Sequence, residues 1–206
     1  LIALIAAASM TLGNLAAFFQ NSVQRLLAYS TISQVGYLLM GVAVATRAEL
    51  AQPALLFYLA AYAVTNLGAF AVVAELPHAR TIADYRGAAR RHPALIVALA
   101  VCLFGLIGTP PTAVFVGKLA VFTATIDGGF GWLAVLAVGN TVASVFYYLR
   151  WIAPAFREPE QVPAPALQPA GTWSAVTAYA AAAAAVLLGV LGGVLLPLLS
   201  GAPATS

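Results

Sequence analysis

One side chain stands out for the chemistry open to it. Lys118 is the only lysine among 206 residues, and it lies in the apolar stretch Ala113-Val-Phe-Val-Gly117-Lys118-Leu-Ala-Val-Phe122. An ammonium in hydrocarbon persists where a cavity, a counter-charge or a proton-transfer role compensates its cost. Lysine suits the last of these, because desolvation brings its neutral form within reach while a guanidinium stays charged. The competing reading is a lysine whose stem reaches outward to the interface. Its neighbourhood argues against that. Seven residues before it the chain reads Gly108-Thr109-Pro110-Pro111, and two prolines in succession remove a helical donor and push the preceding residue out of α geometry. A helix broken beside a buried charge recurs at transport sites near the membrane midplane.

A second group of polar residues accompanies it. Ser30, Ser33, Gln34 and Tyr37 share one face of a helix at three- and four-residue spacing, with Thr31 beside them. Such a stripe either holds ordered water and passes protons or ties helices together by hydrogen bonds. Thr65 and Asn66, and Asn140, Thr141 and Ser144, invite the same two readings. Glu75, two residues before Pro77, reads as interfacial rather than as a counter-charge. Cys102 is a lone thiol in an apolar run and reads as inert core.

These side chains need elements to hold them, and composition says what kind. Of the 206 residues 63% are apolar and only 7% are charged, against about 45–50% and 25% in soluble domains. Mean hydropathy is +0.96. The chain is an integral membrane protein. Its net charge of +3 is too scattered to follow a phosphate backbone, so no nucleic-acid partner is expected. One cysteine allows no internal disulfide, Cys-based zinc site or iron–sulfur cluster. The chain opens at Leu1 inside an apolar run without a basic flank, which is unlike a signal peptide and reads as the interior of a longer product.

A spanning helix takes about 20 apolar residues, and six stretches qualify: 1–19, 26–45, 54–76, 94–126, 132–152 and 173–196. The fourth, 33 residues by these bounds, would measure about 50 Å as one straight helix, about 20 Å more than the hydrocarbon requires. It must break at Gly108–Pro111. A connection over 153–171 contains Pro154, Pro159, Pro163, Pro165 and Pro169 and reads as extended chain. Strands are excluded, since ten-residue alternating segments are absent. Seven arginines flank the first, third and fifth connections (Arg25, Arg80, Arg86, Arg90, Arg91, Arg150 and Arg157), and Arg47 alone flanks the others. By the positive-inside rule the odd connections are cytoplasmic and both ends of the fragment lie outside. Tyr147, Tyr148 and Trp151 fit an inner aromatic belt and Trp132 an outer one.

The motifs also carry a resemblance. Gly13-Asn14-Leu15, the run from Arg25 through Tyr29-Ser30-Thr31-Ile32-Ser33-Gln34 to Tyr37, Asp84-Tyr85-Arg86-Gly87, the run from Gly108 through Pro110-Pro111 and Phe115 to Gly117-Lys118, and Tyr147-Tyr148-Leu149-Arg150 resemble the antiporter-like membrane subunits of respiratory complex I. Within that family they are most similar to the subunit N branch, and the similarity covers nearly the whole chain. The resemblance implies an all-α fold of two inverted five-helix repeats, each with one broken helix. Residues 1–152 would be the second repeat, 153–171 a cytoplasmic loop and 172–199 the final helix. It implies that Lys118 is a proton carrier on a central hydrophilic axis, with Gln24, Ser30, Thr31, Ser33, Gln34, Tyr37 and Asn66 along the path. Other membrane subunits and the lipid bilayer would be its partners, in a bacterial plasma membrane. NADH, FMN, iron–sulfur clusters and quinone would belong to the rest of the complex, leaving no cofactor or metal site here.

Two departures stand against this. The family often carries lysine where this chain has Gln24 and histidine where it has Gln34, and glutamine hydrogen-bonds without carrying a proton as charge. The alternatives are a subunit of a cation/proton antiporter or membrane-bound hydrogenase, and a membrane scaffold that does not pump.

Overall fold

The computed structural model describes residues 1–158 and 170–199. Its helices are α1 (Ile2–Phe18), α2 (Val23–Ala43), α3 (Ala51–Glu75), a short α4 (Ala88–Arg91), α5 (Pro93–Ile107), α6 (Ala113–Asp127), α7 (Gly131–Phe156), α8 (Thr172–Val190) and α9 (Gly192–Leu199), with a 3-10 turn at Ala83–Tyr85. No strand forms among the described residues; Ser22 and Thr81 make an isolated bridge. Four helices, α2, α3, α7 and α8, are each long and apolar enough to cross a membrane, and α1 is a shorter apolar helix. The 15-residue α5 and α6 reach about 22 Å each and share one crossing. Leu4, Leu12, Leu15, Leu56, Leu67, Val135 and Phe146 are exposed. With lipid as the solvent, that apolar exterior carries no penalty.

The connections bearing arginine gather at one end of the bundle. Val23 N–H donates to Arg80 O and Ile82 N–H to Asn21 O, tying the first connection to the third. Asp84 receives the Arg80 and Thr81 amides and fixes that turn. Gly87 N–H donates to Pro154 O. The Arg150 guanidinium donates to Phe18 O and Gln20 O, satisfying carbonyls that the end of α1 leaves without a partner.

Three expectations need correction. The connection after α7 starts later than 153, because Pro154 sits inside the last turn of α7. A proline there removes one donor, and its carbonyl accepts from both Gly87 and Arg157. Pro159, Pro163, Pro165 and Pro169 lie outside the described residues. The final span is two helices rather than one, interrupted at Leu191 before Gly192-Gly193, where glycine lowers helix propensity. Tyr147, Tyr148 and Trp151 are buried, not laid out along an interface. They face α1, α2 and the 3-10 turn, whereas Trp132 is half exposed as expected.

Candidate functional site

The break begins with a local signal. Gly108 ends α5 at φ 90°, in the left-handed region that glycine enters freely. Its N–H donates to Phe104 O and Gly105 O, and the Thr109 N–H and hydroxyl both return to Phe104 O. Thr112, in extended conformation, opens α6, and its hydroxyl donates to Thr109 O at 2.7 Å. Pro110 and Pro111 between them end the ladder, and both are exposed. The carbonyls of Leu106 and Ile107 are therefore left without helical donors.

Lys118 takes them. It is 3% exposed, and its Nζ donates to Ile107 O at 2.9 Å and Leu106 O at 3.3 Å. The same nitrogen lies 4.7 Å from the centroid of the Tyr37 ring, within the range of an attractive cation–π contact. Among the described residues no carboxylate pairs with it. Carbonyl dipoles and a ring face can hold an ammonium here without a counter-charge. The stem is held as closely: a methyl placed on Gly108 would come 2.9 Å from Lys118 Cδ. Gly108→Ala is therefore expected to cost about 1–2 kcal/mol in backbone strain alone, and to displace the amine. A thermal midpoint unchanged from the parent complex would refute this.

Gln34 reaches the same spot from α2. Its amide nitrogen donates to Leu106 O at 3.3 Å, and its Oε1 accepts from the Tyr58 hydroxyl of α3. Tyr58, Gln34, the Leu106 carbonyl and Lys118 thus form a continuous polar chain across four helices. Tyr37 donates to Ala137 O and meets the Thr141 hydroxyl, both at 3.0 Å.

The other expected path residues diverge. Ser30 meets the Tyr148 hydroxyl on α7. Thr31 donates to Leu27 O and accepts a 3.5 Å contact from Asn66. Ser33 turns to α1, donating to Met10 O at 3.0 Å, and Gln24 is exposed at the start of α2. Neither touches Lys118. Asn140 receives the Asn14 amide and donates to Thr11, a clasp between α1 and α7. Glu75 is buried rather than interfacial, accepting from Gly171 N–H at 3.4 Å. At the arginine-bearing end, burial and the nearby Asp84 push the Tyr85 phenol above its ordinary range, so it keeps its proton.

Sequence reasoning missed Tyr58, Tyr62 and the inward direction of Tyr147 and Tyr148. A signal existed: Tyr58 and Tyr62, whose hydroxyls are the polar groups of an otherwise apolar run over 54–64, are one helical turn apart.

The chain is similar to known proteins in sequence and in fold. Residues 1–146 match the family model described as NADH:quinone oxidoreductase/Mrp antiporter, TM. The chain is 60% identical over 194 residues to NADH-quinone oxidoreductase subunit N 1 of Streptomyces griseus subsp. griseus, covering 94% of this chain and 41% of that protein. It is 53% identical over 193 residues to NADH-quinone oxidoreductase subunit N of Mycobacterium sp. (strain JLS), with the same coverage. It therefore spans about two fifths of the length of these relatives. Among solved structures, a chain of respiratory complex I from Thermus thermophilus superposes with a TM-score of 0.83 at 33% identity, covering 98% of this chain and 46% of that one. A chain of the Mrp complex from Dietzia sp. gives 0.84 at 23% identity, covering 97% and 45%, a likeness of fold alone. This chain belongs to the NADH:quinone oxidoreductase/Mrp antiporter membrane family.

Proposed function

We propose that this chain is the proton-carrying part of a membrane subunit of an NADH–quinone oxidoreductase, with Lys118 as the group that loads and releases the proton. The observation that carries this is the amine itself. It is buried and, among the described residues, bound to carbonyls that the helix break leaves free and to a ring face. Gln34 and Tyr58 extend the polar chain away from it, so the absence of a charged residue at Gln34 leaves hydrogen bonding intact. Ser30, Thr31, Tyr37 and Asn66 belong to the path or its walls; Ser33 and Gln24 support the helices around it.

In this reading residues 1–152 form the second repeat of an antiporter-like fold, followed by a last helix. The arginine-bearing end is cytoplasmic and both ends of the fragment lie outside. NADH, flavin, iron–sulfur and quinone chemistry belong to the rest of the complex. Pro110 and Pro111, exposed at the break between α5 and α6, support neighbouring membrane protein as a partner, because irregular backbone within a span needs cover from lipid. The family description favours one other reading, a subunit of a cation/proton antiporter. The high identity to proteins named subunit N favours the first.

The test is Lys118→Met in the assembled complex, reconstituted into vesicles with NADH and quinone. Proton uptake per electron is expected to fall while the complex still assembles. An unchanged ratio overturns the proposal.

A further inference from the structure

A buried carboxyl group stands apart from the Lys118 chain, at the arginine-bearing end of the bundle. Glu75 is the last residue of α3 and is 3% exposed. Its Oε1 accepts from the Gly171 N–H, and its main-chain carbonyl accepts from the Ala170 N–H at 2.9 Å, so the chain entering α8 is tied to it. Its Oε2 is buried and has no hydrogen-bond partner among the described residues. Such an atom is costly unless something donates to it. Glu75 forms one wall of a cavity of about 370 Å³. Arg91, Ala94 and Leu95, where α5 begins, and Ala175 and Tyr179 on α8 bound its other sides. A water molecule occupies about 30 Å³ in the liquid, so the space takes a ligand of several atoms.

Two opposite demands meet in this cavity. Glu75 calls for a cationic donor. The first turn of α5 calls for an anion, because amides there lack intrahelical acceptors and carry the positive end of the helix dipole. Pro93 has no N–H to give, so Ala94 and Leu95 supply the amides, and Arg91 adds a full charge. A phosphoethanolamine group, with its ammonium two carbons from its phosphate, meets both demands. Choline has no N–H for Oε2, and a glycerol headgroup brings no positive charge to a carboxylate. The setting makes the source a lipid. Helices α5 and α8 both begin at this end and pack together as they run into the bundle. Val97, one turn beyond Ala94, is exposed, as are Tyr179 and Ala183 one turn beyond it. They form an apolar track leading from the cavity along the membrane-facing side.

We propose that the cavity between the end of α3 and the starts of α5 and α8 binds one phosphatidylethanolamine molecule. Its ammonium donates to Glu75 Oε2, its phosphate accepts from the Ala94 and Leu95 amides beside Arg91, and an acyl chain lies along Val97 and Ala183. The bound lipid joins three helices at one point, among them α8. The site uses no proton-handling residue and is independent of the role of Lys118.

The test is photo-cross-linking in the whole complex, held in phosphatidylcholine nanodiscs with a trace of phosphatidylethanolamine that carries a diazirine on one acyl chain. Mass spectrometry locates the labelled peptides. Labelling within 93–101 and 173–183 is expected, displaced by excess unlabelled phosphatidylethanolamine and not by the same amount of phosphatidylglycerol. Glu75→Gln keeps the shape and removes the charge, and labelling is expected to fall about tenfold, the scale of one charge-assisted hydrogen bond. Ala94→Trp, at an exposed position, fills the cavity mouth and should abolish labelling without altering Glu75. It carries the test if Glu75→Gln does not assemble. Equal displacement by phosphatidylglycerol shows general lipid contact and overturns the proposal. So does labelling that is absent from the parent, or unchanged in either variant, which would leave water as the partner of Glu75 Oε2.

Discussion

Lys118→Arg is expected to stop proton translocation as completely as removing the amine, although it keeps the positive charge. The Leu106 and Ile107 carbonyls and the Tyr37 ring would all accept a guanidinium. What arginine lacks is a neutral state within reach at working pH, so a carrier that must alternate between two states is locked in one. Its planar head also needs more room than an amine whose stem already lies against Gly108. The complex should assemble and reduce quinone, with pumping down about a hundredfold or more, the scale associated with loss of a proton-transfer group. Proton uptake per electron, measured beside Lys118→Met, decides the matter. Normal pumping by the arginine variant would mean that the site needs only fixed charge, and the carrier mechanism would be wrong.

The second large effect concerns stability. A methyl on Gly189 of α8 would overlap the Pro111 carbonyl oxygen and come 2.7 Å from the Ala113 nitrogen. Backbone lies on that side, so no flexible side chain can yield. The last long helix therefore lies against the break without an intervening side chain. Gly189→Val is expected to cost about 3 kcal/mol or more through overpacking, seen as a fall in thermal midpoint and in retained Lys118-dependent pumping. Gly193→Ala is the matched control, since nothing lies within 4 Å of the added methyl; it should be neutral or slightly stabilising. Equal shifts in the two variants would refute the close approach.

The break and its lysine were legible in the chain because their causes are local. Proline removes a donor wherever it stands, and a single lysine in an apolar run is conspicuous in any fold. The polar stripe on α2 was legible as a face, since helical spacing fixes which residues share a side. Its destinations were not. Ser33 faces α1, Ser30 faces α7 and Gln34 faces α3 and α5, and nothing in the spacing says which neighbour occupies each direction. The same ignorance misplaced Tyr147, Tyr148 and Trp151. Aromatics beside an arginine suit a lipid interface as well as a bundle interior, and only the packing of α1, α2 and the 3-10 turn chooses between them. Pro154 within α7 has a carbonyl that accepts the N–H of Gly87, far away in the chain.

The contact between α8 and the break also has a temporal side. A ribosome delivers α5 and α6, with Lys118, well before it delivers α8. Until then the newly inserted helices hold the break without the helix that closes against its backbone. Closing the break therefore waits for α8, and a chain cut ahead of Thr172 would leave the Pro111–Ala113 backbone in the membrane without the helix that covers it.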